Sequence, residues 1–333
     1  MFTRKFLFSF AILLSPALPA FCADTSKASA RCPQVSVISS EDKVRIELNG
    51  QLFTEYHFKG APHVYFFPLL GPGNVPMTRN APMKEMDGED RDHPHHRSLW
   101  FSHGAVNGID FWSEAPKAGK IVHDRILSAT CDARGGALKT SHKWIAPDEK
   151  TICTDETTFR VYPDGQVRTF DFDVTLKASE GMDVTLGDTK EGTMGIRLAE
   201  SMRLAPNKFN TGKPTGHIVQ STGVRDEKTW GKAAEWCDYY GPIEGKILGV
   251  AIFDHPKNLR HPTTWHVRDY GLFAANPFGL HDFEKKPEDA GNFTIKSGQS
   301  VTFRYRFVLH EGDEKQAGIA RLYQQYASEN LSK

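Results

Sequence analysis

Histidine is the residue type in this sequence whose clustering points most directly to chemistry. The imidazole side chain exchanges a proton near neutral pH and binds metal ions, so neighbouring histidines can serve catalysis or metal binding. Half of the 14 histidines fall in two short windows, with His93, His95, His96 and His103 in the first and His255, His261 and His266 in the second. The two windows could meet in space and form one site.

Pro94 restricts the conformation of the first window. A proline disfavours helical structure at the residue before it, so His93 is expected to be extended. If the run stays extended, His93, His95 and Arg97 face one side and His96 faces the other, because side chains alternate along a strand. At most two of the three histidines would then share a site. Arg97 would join them as a planar cation for a carboxylate or for sugar hydroxyls.

Three interpretations of the histidines compete. As metal ligands, His93, His95 and His266 would hold a divalent ion, the one cofactor that the sequence suggests, although no H-E-x-x-H spacing is present. As proton donors and acceptors in a polar pocket, His93, His95 and His96 suit acid/base catalysis near neutral pH. The third interpretation is that they cap loops and satisfy buried carbonyl groups. We favour the second interpretation.

A glycine-punctuated segment, LGDTKEGTMGIRLAE at residues 186–200, supplies a candidate carboxylate. Glu191 lies at the predicted edge of a loop, and we take it as the catalytic base, with a solvated loop glutamate as the alternative. In an extended strand Arg197 faces away from its apolar neighbours Ile196 and Leu198. The segment has no phosphate-binding glycine motif and the chain has no G-x-S-x-G, so neither nucleotide chemistry nor α/β-type serine hydrolysis is indicated.

Aromatic and polar residues near these groups complete the candidate ligand site. Flat aromatic side chains beside hydrogen-bonding groups suit pyranose rings, although they are also ordinary in a β-sandwich core. Arg268 is expected to pair with Asp269 across a turn, and Asn107 to lie in a tight turn before Gly108. The candidate binding residues are Arg97, His103, Asn107, Trp112, Lys190, Arg197, His261, His266, Arg268 and Asn276.

The elements that would position these residues are mostly strands. Between residues 170 and 176 apolar and polar residues alternate, which is the period of a strand with one wet face. Helical periodicity is clear only near the end of the chain, over about residues 313–330. Hairpin turns are predicted at Asn49-Gly50, Gly135-Gly136 and Asp164-Gly165.

The fold is predicted to be mostly β, as one large two-sheet antiparallel β-sandwich over residues 24–333 with a C-terminal helix. No linker rich in Pro, Ser or Gly divides the chain, and no repeat of about 40 to 50 residues suggests a propeller. Residues 72–94 carry four prolines and many charges. They are predicted to form a long irregular loop across one face of the sandwich, and such loops are usually functional.

Composition limits the partners. The 333 residues are 39% hydrophobic and 11% aromatic, enough to bury a sizeable core, and 41 basic residues balance 41 acidic ones. A neutral chain has no electrostatic footprint for nucleic acid, and no later segment is apolar enough to span a membrane. We expect a small-molecule or oligosaccharide ligand.

The N-terminus has the pattern of an export signal. Two basic residues precede a short apolar run and then small residues, so residues 1–23 are predicted to be a cleaved signal peptide and the mature protein to be periplasmic or extracellular. An oxidising compartment would permit two disulfides, in three possible pairings, and four ordinary thiols are the alternative. The mature cysteines are Cys32, Cys131, Cys153 and Cys237.

Six motifs together resemble the bacterial PmoA-like family. They include DHPHHRSLWF, HGAVNGIDFW and GDTKEG, and they lie at residues 65–72, 78–83, 92–101, 103–112, 187–192 and 261–279. The family name implies a histidine-ligated, metal-dependent oxygenase. A histidine brace would need histidine as the first mature residue, whereas cleavage near Ala23 exposes alanine or aspartate. The β-rich layout also resembles the large sandwich of galactose mutarotase-like proteins.

The functional hypothesis is an exported carbohydrate-active enzyme that performs acid/base chemistry on a sugar or glycoside. His95 or His96 would act as the general acid and Glu191 as the base, while Arg97 and His266 would orient the substrate. One alternative is a non-catalytic periplasmic sugar-binding protein with Trp100, Trp112 and Trp265 as stacking platforms. The other is the metal-dependent oxygenase that the family name implies.

Overall fold

The structure is a computed structural model that describes residues 1–2, 28–163, 165–207 and 216–329. Almost all of the predicted signal peptide, residues 1–23, lies outside the described residues, so export remains a prediction. None of the described helices is long and apolar enough to cross a membrane.

The described residues form nineteen strands and two short α-helices. The strands are β1 (Ala30–Arg31), β2 (Val35–Ser39), β3 (Lys43–Leu48), β4 (Gln51–His57), β5 (Tyr65–Leu69), β6 (Leu99–His103), β7 (Lys120–Asp132), β8 (Gly135–Ile145), β9 (Thr151–Val161), β10 (Arg168–Lys177), β11 (Val184–Leu186), β12 (Gly192–Arg197), β13 (His217–Gln220), β14 (Trp236–Ile243), β15 (Lys246–Asp254), β16 (Trp265–Val267), β17 (Leu272–Ala275), β18 (Phe293–Ile295) and β19 (Ser300–Glu311). The helices are α1 (Leu280–Glu284) and α2 (Ile319–Ser328).

Two large antiparallel sheets contain most of these strands. In the described part of the chain, the first sheet has nine strands in the order β1-β2-β3-β4-β5-β6-β12-β17-β16. The second has eight strands in the order β13-β14-β15-β19-β10-β9-β8-β7, and β11 pairs with β18. All neighbouring strands of the two sheets pair in the antiparallel direction. The predicted fold class, a large two-sheet β-sandwich with a C-terminal helix, is confirmed.

The core lies between the two sheets. The alternation predicted over residues 170–176 is real, because Phe170, Phe172 and Val174 are buried while the polar residues between them are not fully covered. Phe53 of β4 meets Phe170 of β10 edge to face, with ring centroids 5.8 Å apart. This contact joins the inner faces of the two sheets, and aromatic pairs of this geometry stabilise a core beyond simple burial.

Two of the predicted hairpin turns can be compared with the described backbone. Asn49 and Gly50 both have positive φ, as the turn between β3 and β4 requires. The hairpin predicted at Gly135-Gly136 joins β7 and β8, but its turn lies two residues earlier, at 133–134, and both glycines begin β8. A Cβ at Gly135 would lie 2.1 Å from the carbonyl oxygen of Val161, so this glycine permits close strand packing. Asp164 lies outside the described residues, but the two strands that flank it, β9 and β10, do pair.

The C-terminal helix is shorter than predicted. Helix α2 covers Ile319–Ser328, and the preceding residues form turns that end at Gly318, where φ is 68°. Tyr323 and Tyr326 are buried, and Tyr323 meets Phe253 of β15 at a ring distance of 5.6 Å. The helix therefore covers the outer face of the eight-stranded sheet.

A disulfide joins the edges of the two sheets. Cys32, which follows β1, is bonded to Cys131 of β7, and their Cα atoms are 6.0 Å apart. Cys153 and Cys237 are buried free thiols. The sequence permitted two disulfides, and one is formed.

A buried ion pair links β19 to β14 in the eight-stranded sheet. Nε2 of His310 lies 3.0 Å from Oδ1 of Asp238, and both side chains are fully buried. Burial alone would lower the pKa of His310, but the charge and hydrogen bond of Asp238 outweigh it and raise the pKa above 6.5.

We expect this pair to make stability depend on pH. Below the unfolded pKa of 6.5 both states bind the proton and the stabilisation is complete; as pH rises through the higher folded pKa, it is lost. The His310→Gln variant should lose about 3–5 kcal/mol of unfolding free energy at about pH 6, and less at about pH 9. Urea unfolding at both pH values measures this, with exposed His217→Gln as control. An equal loss at both values would contradict the assignment.

Candidate functional site

The first histidine window forms a turn. The backbone N–H of His96 donates to the carbonyl oxygen of His93 at 3.0 Å, and His93 itself has a φ of 46°. The expectation of an extended run, with His96 facing away from His93 and His95, was therefore wrong. The turn brings all three imidazoles to one cleft.

The cleft has a volume of about 330 Å³ and lies over β6 and β12 of the nine-stranded sheet. Trp100 of β6 lies across Gly195 of β12, where a Cβ would come within 2.8 Å of the indole ring. The residues that line the cleft are His93, His95, His96, Gly104, Asp110, Trp112, Ser113, Glu191 and Tyr270. Sequence analysis had named His93, His95, His96, Trp112 and Glu191 among them.

Four rings form a nearly parallel column along one wall. Tyr270 stacks on His93 with centroids 5.2 Å apart, and His93 stacks on His96 at 4.8 Å. His96 in turn stacks on Trp100 at 5.3 Å. The column fixes the planes of both imidazoles, so their ring nitrogens have defined directions.

Two buried guanidinium groups hold the histidine turn in place. Nη1 of Arg79 and Nη2 of Arg197 both donate to Oδ1 of Asp92, at 2.5 and 2.9 Å, and neither arginine side chain is exposed. Arg79 also donates to the backbone carbonyls of Asp92 and His93. Burial opposes ionisation of Asp92, but the hydrogen bond from His93 and the two guanidinium charges prevail and hold its pKa well below the usual range.

The partners of His93 and His96 give the two imidazoles different roles. Nδ1 of His93 pairs with Oδ2 of Asp92 at 2.6 Å, which leaves Nε2 for other contacts. Nδ1 of His96 accepts from Nη1 of Arg197 at 3.2 Å. Because a guanidinium can only donate, Nε2 of His96 carries the proton, and this buried N–H has no partner among the described residues.

Burial keeps the other two histidines neutral at pH 7. Burial, followed by the charge of His93, lowers the pKa of His95 to about 4. Burial and the neighbouring charges of His95 and Arg197 lower the pKa of His96 well below its ordinary value. Both imidazoles can donate a hydrogen bond as neutral groups, but neither is a ready source of protons near neutral pH.

Glu191 supplies the free carboxylate of the cleft. The backbone N–H of Gly104 donates to the backbone carbonyl oxygen of Glu191 at 2.7 Å. A Cβ at Gly104 would lie 2.8 Å from Cβ of Glu191. The carboxylate makes no hydrogen bond or ion pair with any described residue. Burial raises its pKa, although the charges of Lys190 and His93 oppose the shift.

Two residues from the sequence-predicted site fix the backbone directly before Glu191. Nδ1 of His266 and Nδ2 of Asn276 donate to the carbonyl oxygen of Lys190 at 2.5 and 2.8 Å. Burial lowers the pKa of His266 to about 4, so its ring is neutral. Neither side chain lines the cleft, and the expectation that His266 contacts the substrate directly is not what the geometry supports.

The remaining residues of the first window and the nearby loops serve structural contacts. Arg97 forms a bidentate pair with Glu114, at 2.5 and 2.8 Å, so it does not join the histidines as expected. Nε2 of His103 donates to the carbonyl oxygen of Gly187 at 2.8 Å. Asn107 binds the backbone of the 183–185 segment in the expected turn.

The second histidine window does not join the cleft. His261 pairs with Asp254 at 2.7 Å, and its Nε2 lies 3.5 Å from the hydroxyl of Tyr323 in α2. Arg268 makes no ion pair with Asp269; it lies over the rings of Tyr270 and Trp230, at 5.4 and 6.0 Å. The hypothesis that the two windows meet as one set of reacting groups was wrong, because the β16–β17 hairpin places His266 against the backbone of Lys190 and not in the cleft.

Two further expectations are corrected by burial and geometry. Trp265 is fully buried and its indole N–H donates to the carbonyl oxygen of Ala234, so it is a core residue and not a stacking platform. No group of three or more His, Cys, Asp or Glu side chains in the described ranges is arranged to hold a metal ion. His93, His95 and His266 in particular are not gathered around one point.

Sequence analysis missed Arg79, Asp92, Asp110 and Tyr270. Asp110 accepts from the backbone N–H groups of Trp112 and Ser113, which shapes the cleft wall. Asp92 had a visible signal, since a carboxylate directly before a histidine is a natural orienting partner. Arg79 and Tyr270 had none, because their contacts depend on the folded loops.

Comparison with known proteins places the chain in a family. The profile of a family of unknown function, DUF6807, matches residues 43–324. The chain belongs to this family. The resemblance to a PmoA-like family was therefore wrong, and the oxygenase activity that it implied has no support. No curated protein matches the sequence.

Several solved structures are similar in fold at low identity. The GH36 alpha-galactosidase AgaA from Geobacillus stearothermophilus has 9% identity and a TM-score of 0.42, covering 90% of this chain and 44% of that one. The alpha-galactosidase from Lactobacillus brevis has 10% identity and a TM-score of 0.41, covering 87% and 42%. A galactose mutarotase related enzyme from Lactobacillus acidophilus has 10% identity and a TM-score of 0.30, covering 85% and 97%. The chain thus spans less than half the length of the two alpha-galactosidases.

The pairing of Asp92 with two buried guanidinium groups predicts a stability effect. Asp92→Asn should cost about 2–3 kcal/mol of unfolding free energy, because Arg79 and Arg197 then lack their shared countercharge. The loss is smaller than for a fully buried pair because the Asp92 side chain is 37% exposed and solvent screens it. Urea unfolding measures the loss. Exposed Asp87→Asn is the matched control, and an equal effect of the two changes would refute the prediction.

Proposed function

We propose that the protein performs proton-transfer chemistry on a sugar or glycoside bound in the cleft. The observation that carries this proposal is the unpaired carboxylate of Glu191 in the same cleft as the Asp92–His93 pair. A carboxylate and a carboxylate-oriented imidazole are the two groups that acid/base catalysis needs. No redox group or nucleophilic serine or cysteine is required.

Glu191 acts as the base. Its carboxylate has no competing hydrogen-bond donor among the described residues, and its partial burial makes it a stronger acceptor than a solvated glutamate. His266 and Asn276 hold the adjoining backbone and so fix the direction from which Glu191 approaches a substrate.

His93 acts as the acid, in place of His95 or His96. The Asp92 carboxylate pairs with Nδ1 of the His93 imidazole, which orients the ring and leaves Nε2 as the exchanging nitrogen. Buried His95 and His96 are neutral near pH 7, so they bind and orient oxygen atoms of the substrate rather than supply protons.

The cleft suits a sugar in size and composition. Its volume of about 330 Å³ is adequate for a pyranose unit, and Trp112 and Tyr270 place aromatic surface beside polar groups. The imidazoles, Ser113 and Glu191 can donate hydrogen bonds to the hydroxyl groups of a sugar or accept hydrogen bonds from them. Binding of an oligosaccharide is part of the same proposal.

Export to the periplasm or the cell exterior also belongs to the proposal. The basic residues and the apolar run at the N-terminus match the pattern of an export signal. The Cys32–Cys131 disulfide supports it, because structural disulfides persist mainly in oxidising compartments.

Incubation with a panel of aldoses, uronic acids, methyl glycosides and disaccharides, followed by proton NMR, tests the proposal. The wild-type protein should alter at least one sugar or speed the exchange of its anomers. Glu191→Gln should slow that change about 100-fold or more, because it removes the base but keeps the shape.

The exposed carboxylate of Glu288 provides the matched control, and Glu288→Gln should retain the wild-type rate. Line broadening of a sugar without conversion would refute catalysis and support the non-catalytic sugar-binding alternative. A Glu191→Gln variant as fast as wild type would remove Glu191 from the mechanism.

A further inference from the structure

Two buried N–H groups in the cleft have no acceptor. Nε2 of His96 and Nε1 of Trp112 are both covered, and neither has a hydrogen-bond partner among the described residues. Buried polar groups in folded proteins are nearly always paired, since an unpaired donor carries the full cost of its desolvation. Such a pair of vacant donors indicates a place where a ligand atom binds.

Both groups can only donate. An indole N–H has no acceptor capacity, and Nδ1 of His96 already accepts from Arg197, so Nε2 bears the proton. The two rings have centroids 5.7 Å apart and meet edge to face at 76°. The matching ligand group is one with acceptor oxygens only, and a carboxylate has two of them.

Two cations that form no ion pair with a described residue adjoin residues of the cleft wall, although neither lines the cleft itself. Lys190 directly precedes Glu191, and Arg268 lies over the ring of Tyr270, a residue of the cleft wall. Among the described residues neither has a carboxylate within ion-pairing distance. By contrast, Arg97 close by is fully paired with Glu114.

The acidic residues of the cleft do not cancel this positive charge. The carboxylate of Asp110 accepts hydrogen bonds from the backbone N–H groups of Trp112 and Ser113 and from the Ser113 hydroxyl. Glu191 is the one remaining free carboxylate. The local field therefore favours a ligand with a negative charge placed away from Glu191.

We infer that the cleft takes a sugar acid, a uronic acid unit whose carboxylate accepts hydrogen bonds from Nε2 of His96 and Nε1 of Trp112. Lys190 and Arg268 supply the long-range attraction. This inference rests on the proposed function in one respect, the use of the cleft as the sugar site. A carboxylate also makes the hydrogen on the adjoining carbon more acidic, which suits removal by a carboxylate base.

Isothermal titration of the whole protein with sodium D-glucuronate and sodium D-galacturonate tests the inference. D-Glucose and D-galactose are the matched probes, since each differs from its acid only at the terminal carbon, and ionic strength is held constant. We expect the uronates to bind about tenfold or more tightly than the neutral hexoses.

Trp112→Phe removes the indole N–H and keeps an aromatic ring. It should weaken uronate binding about tenfold and weaken binding of the neutral hexoses much less, because the aromatic surface is kept while the hydrogen bond to the carboxylate is lost. Trp230→Phe is the matched control, because the indole N–H of Trp230 is also buried and unpaired but lies outside the cleft, and the phenyl ring keeps an aromatic surface beneath Arg268. If Trp112→Phe fails to fold, Lys190→Met serves instead, with an expected loss of about threefold for uronates alone.

The outcomes separate this inference from the proposed function. Equal affinity for acid and neutral sugars, or equal effects of the two tryptophan variants, would overturn the sugar-acid assignment. Turnover of neutral sugars without uronate binding would overturn it as well and leave the proposed function standing. Uronate binding that depends on Trp112, without conversion of any sugar, would uphold the assignment and refute catalysis.

Discussion

The sharing of one carboxylate by two buried guanidinium groups is the constraint on which the cleft depends. Arg79 and Arg197 are fully buried, and charges so placed are tolerated only when they are paired and hydrogen bonded. Asp92 satisfies both, and to do so the loop after β5 must fold back over the sheet. Because Asp92 and His93 are adjacent, the same requirement delivers the imidazole to the cleft. The pairing of Asp92 with Arg79 and Arg197 thus also positions the imidazole of His93.

The sheet supplies the second half of this arrangement. Strands β6 and β12 pair with His103 opposite Gly192, which brings Gly104 against Glu191 at one end of the two strands. The histidine turn approaches from the other end, where Leu99 pairs with Ile196. Trp100 lies between these two ends, stacked on His96 and packed against Gly195. Glu191 and His93 therefore come from opposite ends of one strand pair and line the same cleft.

Much of the fold follows from local patterns, whereas the site depends on distant contacts. Alternation over residues 170–176 suffices to predict a strand of a sandwich, because it reflects one buried face. The histidine turn could not be predicted, since Pro94 is equally compatible with an extended run and with the turn that Arg79 stabilises. Gly135 looked like a turn residue, but its real constraint is the carbonyl of Val161, 26 positions away in the chain. Residue types indicated the chemistry, and only folding decided which of them meet.

The ring column shows how neighbours set protonation within one structural motif. His93 and His96 stack face to face, but the His93 side chain is 41% exposed whereas His96 is buried. His93 is oriented by a carboxylate. Burial, and then the charges of His95 and Arg197, hold the pKa of His96 well below its ordinary value. Different partners and different exposure thus distinguish two adjacent imidazoles, one oriented by a carboxylate and one held as a neutral donor. A single salt-bridge network, which pairs two buried arginines with Asp92, positions both rings.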